Sequence, residues 1–410
     1  MKKFLGIFLG ILTAIGGFVD IGDMVTNATV GSRFGMSLAW VVMVGVLGIV
    51  VFAEMSGRVV AVSGRPTFDI VRERLGPRVG LANLFGSMAV TLLTFIAEIG
   101  GIALALELAT SVWEPFWIPF TAAAVWIVLW RAKFSLVENV FGILGLALVV
   151  FAVALWQLGP DWGTMWHTAS TAAKPAGEAW PSYWYYAIAL FGAAMTPYEV
   201  FFFSSGGIEE GWDAGSIPIM RANVFIGFPL GGVLSLAIAG AAAVALFPVG
   251  IDVATLGQVG LPVAMALGKL GLAVAILGFF AATFGAACET GLSVGYSIAQ
   301  YFGWQWGKFV KPRDAARFHA VVLLSTILAG AVLLTTVDPI LVTEFSVVFS
   351  AVALPLTYLP ILIVANDPAY MGERRNRWLA NTFGSIYLLL VLAASIAAIP
   401  LMIWTKLGTT

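Results

Sequence analysis

Residues Gly16-Gly17-Phe18-Val19-Asp20-Ile21-Gly22-Asp23-Met24-Val25-Thr26-Asn27 interrupt an otherwise apolar run that begins near residue 4. Two carboxylates at i and i+3 would share one face of a helix, but the glycines disfavour continuous helix through the stretch. Each carboxylate buried in an apolar span costs several kcal/mol unless something compensates it. The span offers no basic residue to pair with Asp20 or Asp23. A cation from solution is the natural partner.

The rest of the chain makes a membrane the setting for that break. Of 410 residues, 60% are hydrophobic and only 10% charged, against roughly 25% charged in an average soluble domain, and mean hydropathy is +0.97. Too few charges remain to cover a water-facing surface of this size, which excludes a soluble enzyme, a disordered chain and a nucleic-acid binder with a basic face. The single cysteine, Cys288, excludes a disulfide framework and a paired-thiolate metal site. Long continuous apolar runs favour helices over a barrel. Eleven spans are expected, at about 4–31, 36–57, 81–110, 115–130, 135–157, 183–205, 222–247, 263–300, 317–336, 341–364 and 380–403. Met1-Lys2-Lys3 before an apolar run imitates a signal peptide, but no convincing small-residue cleavage site follows, so an uncleaved first span is expected. With the N-terminus cytoplasmic, seventeen Lys and Arg fall inside and only Arg33, Lys174, Lys269 and Lys406 outside. That asymmetry orients a multi-pass protein with its C-terminus outside.

The sixth span carries a second interruption, Gly192-Ala193-Ala194-Met195-Thr196-Pro197-Tyr198-Glu199. Pro197 removes a backbone donor and obstructs the preceding turn, freeing carbonyls near residues 193 to 196. Thr196 and Glu199 repeat the i, i+3 polar pair of Asp20 and Asp23. The two breaks lie in the first and sixth spans, an odd offset of five, so the copies run in opposite directions. Interrupted segments at corresponding positions of two inverted halves point to a midplane substrate site, where freed carbonyls and carboxylates would coordinate a metal ion. Either break alone reads equally well as a kink, and a lone carboxylate as a structural acceptor; the correspondence favours function.

The run Asp20-Ile21-Gly22-Asp23, the break Met195-Thr196-Pro197-Tyr198, and the tail from Leu354-Pro355 to Met371-Gly372-Glu373 resemble the natural resistance-associated macrophage protein (NRAMP) family over spans one to ten. The resemblance implies a transition-metal transporter with the inverted-repeat fold shared by LeuT-like amino-acid transporters, and eleven spans suit a bacterial inner-membrane member. It places the metal-binding aspartate on Asp20, within a family motif Asp-Pro-Gly-Asn whose amide is here Asp23. Against the family's Met-Pro-His, Thr196 replaces the thioether and Tyr198 the histidine, and Glu199 stands where Asn is usual. In span three, Glu98 survives while the proton-relay aspartate becomes Phe95; a span-ten glutamine falls on Val347, next to Ser346. Oxygen ligands in place of a thioether suit harder ions, and losing two titratable stations suits transport without proton coupling. These departures resemble the related magnesium transporters. Met195, one residue from the expected thioether position, keeps proton-coupled Mn2+ or Fe2+ transport open as the alternative.

Other acidic residues in or near spans are Glu54, Glu107, Glu138, Glu289 and Glu344. Interfacial roles are expected for Glu54, Glu138 and Glu344, and a structural network is the alternative for Glu289. His167 and His319 lack any zinc-hydrolase spacing, and no Gly-rich nucleotide loop is present. Trp156, Trp162, Trp166 and Trp180 read as an interfacial belt. Glu209, Glu210 and Asp213 read as a solvated turn or, more sharply, a cation-attracting vestibule.

The expectation is therefore an all-α polytopic membrane protein, one transport domain over 1–410: repeat one about 1–157, repeat two about 183–364 and an extra helix at about 380–403. It is not an enzyme and uses no cofactor. A divalent metal cation such as Mg2+ or Mn2+ is its cargo and the lipid bilayer its surroundings, with no nucleic-acid partner. Asp20, Asp23, Thr196 and Glu199 are the candidate metal ligands, with Met195 and the Ala193 and Ala194 carbonyls nearby; Glu98 and Tyr198 are candidates for a proton path or vestibule. An organic-solute carrier on the same fold is the further alternative, although Asp20 and Asp23 would repel an anionic substrate. The sequence carries no signal of oligomeric state.

Overall fold

The computed structural model describes residues 18–132 and 134–409. The opening of the first expected span, with Lys2 and Lys3, lies outside the described residues, as do Lys133 and the side chain of Glu138. Every described element is helical. The first half contains α1 (Ile21–Phe34), α2 (Ala39–Ser63), the short α3 (Thr67–Leu75), α4 (Pro77–Thr110), α5 (Glu114–Arg131), α6 (Phe134–Gly145) and α7 (Val150–Leu158). A surface helix, α8 (Trp162–Thr171), leads to α9 (Trp180–Ala194) and α10 (Pro197–Glu209), then to α11 (Ile217–Ala222) and α12 (Phe228–Ala245), joined by a widened turn over Asn223–Gly227. The remainder is α13 (Leu256–Phe302), α14 (Ala316–Leu333), α15 (Pro339–Asn366), α16 (Pro368–Met371) and α17 (Trp378–Trp404).

Among the described residues, nine helical stretches are long and apolar enough to cross a membrane. The other two expected spans are α5, 18 residues long with charged ends, and the first span, of which α1 is the described part. Association between such helices depends on close packing, because lipid is as apolar as the helix faces. Small residues supply it here. A Cβ at Gly31 of α1 would lie 2.1 Å from the Ala239 carbonyl oxygen of α12, so these two backbones touch. The most extensive helix pair is α4 with α13, and α15 packs across α4, α9 and α17. Trp156, Trp166 and Trp180 are exposed, as an interfacial belt requires.

The eighth span departs from expectation. Gly268 (φ +65, ψ −156) divides α13, so one helix covers 256–267 and the crossing helix covers 269–302. A Cβ at Gly260 would sit 3.4 Å from the Phe279 ring. In a straight helix those 19 residues would be about 28 Å apart, so the first segment folds back onto the second. The expected start at residue 263 thus falls inside the folded-back helix, and the turn is at Gly268-Lys269, a glycine followed by the one charged residue between positions 256 and 288. Gly268 has open space around it but a backbone conformation nearly restricted to glycine. Gly268→Ala is expected to cost about 1–3 kcal/mol through backbone strain alone, read as a lowered unfolding temperature in detergent.

Candidate functional site

Asp20 is the residue on which α1 begins. Its backbone is extended (φ −92, ψ −177), and its Oδ1 accepts the Asp23 N–H at 2.8 Å, an N-cap. The partial positive charge of the α1 N-terminus therefore rests on this carboxylate. Its Oδ2 accepts the Tyr198 hydroxyl at 3.2 Å, which links the first break to the second. The next amide, Ile21 N–H, donates to Glu98 Oε1 of α4 at 3.1 Å. Glu98 thus satisfies one of the free donors that every helix start leaves.

Asp23 faces a different set of partners. Asn27 Nδ2 donates to its Oδ1 at 2.9 Å, and Ser235 of α12 donates to its Oδ2 at 2.5 Å. Each oxygen keeps a further lone pair, but the carboxylate is already held in place.

The second break is the pair Met195-Thr196 between α9 and α10. Met195 departs from helix (φ −126, ψ 51), and Thr196 is extended (φ −63, ψ 131) with a hydroxyl that does not cap α10. Ala193 and Ala194 end α9, among the carbonyls that a helix end leaves without an internal donor. The Met195 carbonyl accepts the Tyr358 hydroxyl at 3.2 Å. Its thioether lies against α2, where a Cβ at Gly48 would approach the sulfur to 2.5 Å, and the Ala194 methyl fills the corresponding space at Gly45. The Met195 sulfur is therefore engaged in helix packing. Glu199, in the first turn of α10, is buried, and its Oε2 has no hydrogen-bond partner; Glu98 Oε2 is likewise without one.

Span ten crosses both breaks at one residue. A Cβ at Gly22 would lie 2.8 Å from Val347 Cγ1, and one at Gly192 would lie 2.2 Å from the Val347 carbonyl oxygen. Its neighbour Ser346 is hydrogen-bonded to Thr94 at 2.7 Å. Phe95 is fully buried.

Asp20, Tyr198 and Glu98 are thus brought into contact or near-contact, Asp23 lies one helical turn along α1, and Glu199 is within electrostatic reach of Asp20. The Tyr198 hydroxyl lies in the field of Asp20, Glu199, Glu289 and Glu98 together. Among the described residues, no Lys or Arg forms an ion pair with Asp20, Asp23, Glu98 or Glu199. Nor do three His, Cys, Asp or Glu side chains among them stand close enough to hold a metal by themselves. Hydroxyl and main-chain oxygens would have to complete any coordination, giving an all-oxygen donor set.

Sequence reading missed the partners that hold these groups. Asn27 was within reach, since it follows Asp23 by four residues on one helix face. Ser235 and Tyr358 come from distant spans and carry no local signal. Among residues expected at the periphery, Glu209 accepts the Tyr296 hydroxyl at 3.1 Å and the Lys308 N–H, tying α10 to α13. Asp213 accepts from Gly215 and Ser216 in a closed turn, and these hydrogen bonds hold its carboxyl below the ordinary aspartate range. These contacts hold the Glu209–Asp213 stretch in place. Glu54 bridges Arg58 at 3.0 Å and Arg221 at 2.9 Å. Glu344 lines a small cavity of about 20 Å3 with Thr26, Thr29, Tyr185 and Tyr186.

The chain is 27% identical over 401 residues to the divalent metal cation transporter MntH of Aeromonas hydrophila, covering 95% of each. It is similar in fold to the Eremococcus coleocola manganese transporter, with TM-score 0.67 and 16% identity, covering 98% of this chain and 94% of that one. It is also similar in fold to Mhp1, a nucleobase-cation-symport-1 family transporter in a closed conformation, with TM-score 0.62 and 15% identity, covering 98% and 92%. The architecture is accordingly the LeuT-like inverted repeat of five and five helices with one further C-terminal helix. The family model described as natural resistance-associated macrophage protein-like matches residues 10–400. With its two broken helices and its match over nearly the whole length, the chain belongs to the natural resistance-associated macrophage protein-like (Nramp) family.

Proposed function

We propose that this chain carries a divalent metal cation across the membrane by alternating access, binding it where the two broken helices meet. As an Nramp member it is a membrane transporter and not an enzyme, with the ion as cargo and not cofactor. One observation carries the site: Asp20 and Glu199 at the starts of two helices, and Glu98 reaching the first of them from within α4, are buried with no basic partner among the described residues. Such charge requires protons or a cation to be tolerable in a bilayer. Asp20 is the direct ligand, Asp23, Thr196 and Glu199 bind directly or through water, and the Ala193 and Ala194 carbonyls supply neutral oxygens. The repeats run from about 1 to 157 and 183 to 364, and α17 stands outside them. The N-terminus is cytoplasmic and the C-terminus outside, as the basic residues dictate.

Manganese is the favoured ion. The relatives' names point to divalent metal and manganese, and an oxygen donor set accommodates Mn2+ as well as Mg2+. Magnesium is the second reading, favoured by the engagement of the Met195 thioether in packing against α2. Proton coupling is not required: Phe95 cannot titrate, and the Tyr198 hydroxyl is hydrogen-bonded to Asp20. Glu199→Gln preserves shape and removes charge. It is expected to weaken ion binding about 10-fold or more, because a charged oxygen donor becomes neutral. Titration calorimetry with Mn2+ and Mg2+ checks it, and unchanged affinity would remove Glu199 from the site.

A further inference from the structure

We propose that an anionic phospholipid docks in the groove between α2, α11 and α17, its phosphate held by the arginines of the 373–377 loop and an acyl chain lying along the helices. The groove is separate from the broken helices and encloses about 910 Å3, the size of a small-molecule site. Its lining includes five arginines, the buried Arg58 and also Arg221, Arg374, Arg375 and Arg377, against two glutamates, Glu54 and Glu373. The interior contacts use up only part of that charge. Glu54 is taken by Arg58 and Arg221, and Arg58 also donates to Asn376 Oδ1 at 2.6 Å and to the Arg374 carbonyl at 2.6 Å. Arg375 and Arg377 are exposed and form no ion pair among the described residues.

Beneath the arginines the walls are apolar, including Leu47, Val51, Phe225, Leu379 and Phe383. Trp378, 73% exposed at the start of α17, sets this level at the headgroup boundary. The surface is therefore cationic at the interface and apolar below it. That pattern complements one anionic headgroup with its acyl chain and matches neither a soluble anion nor a zwitterionic lipid. It lies on the arginine-rich face, which the distribution of basic residues assigns to the cytoplasmic leaflet, where anionic lipids attract basic clusters.

Native mass spectrometry of the delipidated full-length protein with added phosphatidylglycerol or phosphatidylcholine tests this. The wild type is expected to retain phosphatidylglycerol preferentially. R375Q/R377Q should weaken that retention roughly 30-fold, since each surface arginine contributes about a factor of five. Among the described residues neither side chain forms an ion pair, and Arg377 does not cap α17 with its side chain, so the variant should elute as the wild type does. K311Q/R313Q, which removes two exposed charges elsewhere on the same face, should leave retention unchanged. Equal retention of the two lipids, equal loss in the control, or binding of glycerol 3-phosphate as tight as that of phosphatidylglycerol would each overturn the proposal.

Discussion

Asp20→Ala is expected to abolish ion binding and transport, with affinity falling by at least about 100-fold. Three roles converge on this carboxylate. It caps α1 through the Asp23 N–H, accepts the Tyr198 hydroxyl of the opposite broken helix, and carries charge at a helix N-terminus among other buried acids. Losing a group that merely orients a metal ligand already costs 10- to 100-fold in many sites, and a ligand itself should cost more. The fold should survive. Losing the cap costs about 1 kcal/mol, which removal of a buried charge offsets. Asp20→Asn separates the two roles, because the amide oxygen can still cap α1 while the charge is gone. Both variants should therefore lose Mn2+ binding in calorimetry while eluting as folded protein. Binding by Asp20→Asn equal to wild type would reduce Asp20 to a structural cap.

Gly192→Val is expected to destabilise the protein by about 3 kcal/mol or more, the upper end for overpacking. A Cβ at this position would stand 2.2 Å from the Val347 carbonyl oxygen and 3.1 Å from the Ala351 amide nitrogen. Both obstacles are backbone, so no rotamer change relieves them; α9 and α15 must separate. Because α15 also lies against Gly22 at the first break, the displacement should disturb both halves of the site. A large fall in unfolding temperature, with transport lost in whatever folds, is the expected outcome. Gly145→Val is the control: Gly145 is helical, with nothing within 4 Å of an added Cβ, and should melt close to wild type.

The contrast between those two glycines shows what sequence reading reaches. Both breaks were legible because each combines a helix-weakening residue with a carboxylate where lipid tolerates none: Gly22 with Asp20 and Asp23, Pro197 with Glu199. Their contact through Tyr198 was not, since it joins residues 178 positions apart. Gly268 and Gly192 are two glycines among 45, and only the backbone angle of one and the close neighbour of the other give them distinct roles. Met195 illustrates a different limit. In an extended stretch the helical wheel no longer tells which way a side chain points, and the structure turns its sulfur onto Gly48. For Asp23, the charge was visible, whereas the Ser235 hydroxyl that holds it depends on how α12 packs on α1.

The most direct test of divalent transport through the paired breaks is uptake of Mn2+ and Mg2+ into proteoliposomes with internal pH recorded. Wild-type protein should take up Mn2+ with saturation and without internal acidification, and Asp20→Ala protein should take up none. Wild-type vesicles no more permeable to either ion than empty ones, or Asp20→Ala uptake matching wild type, would contradict the proposed site.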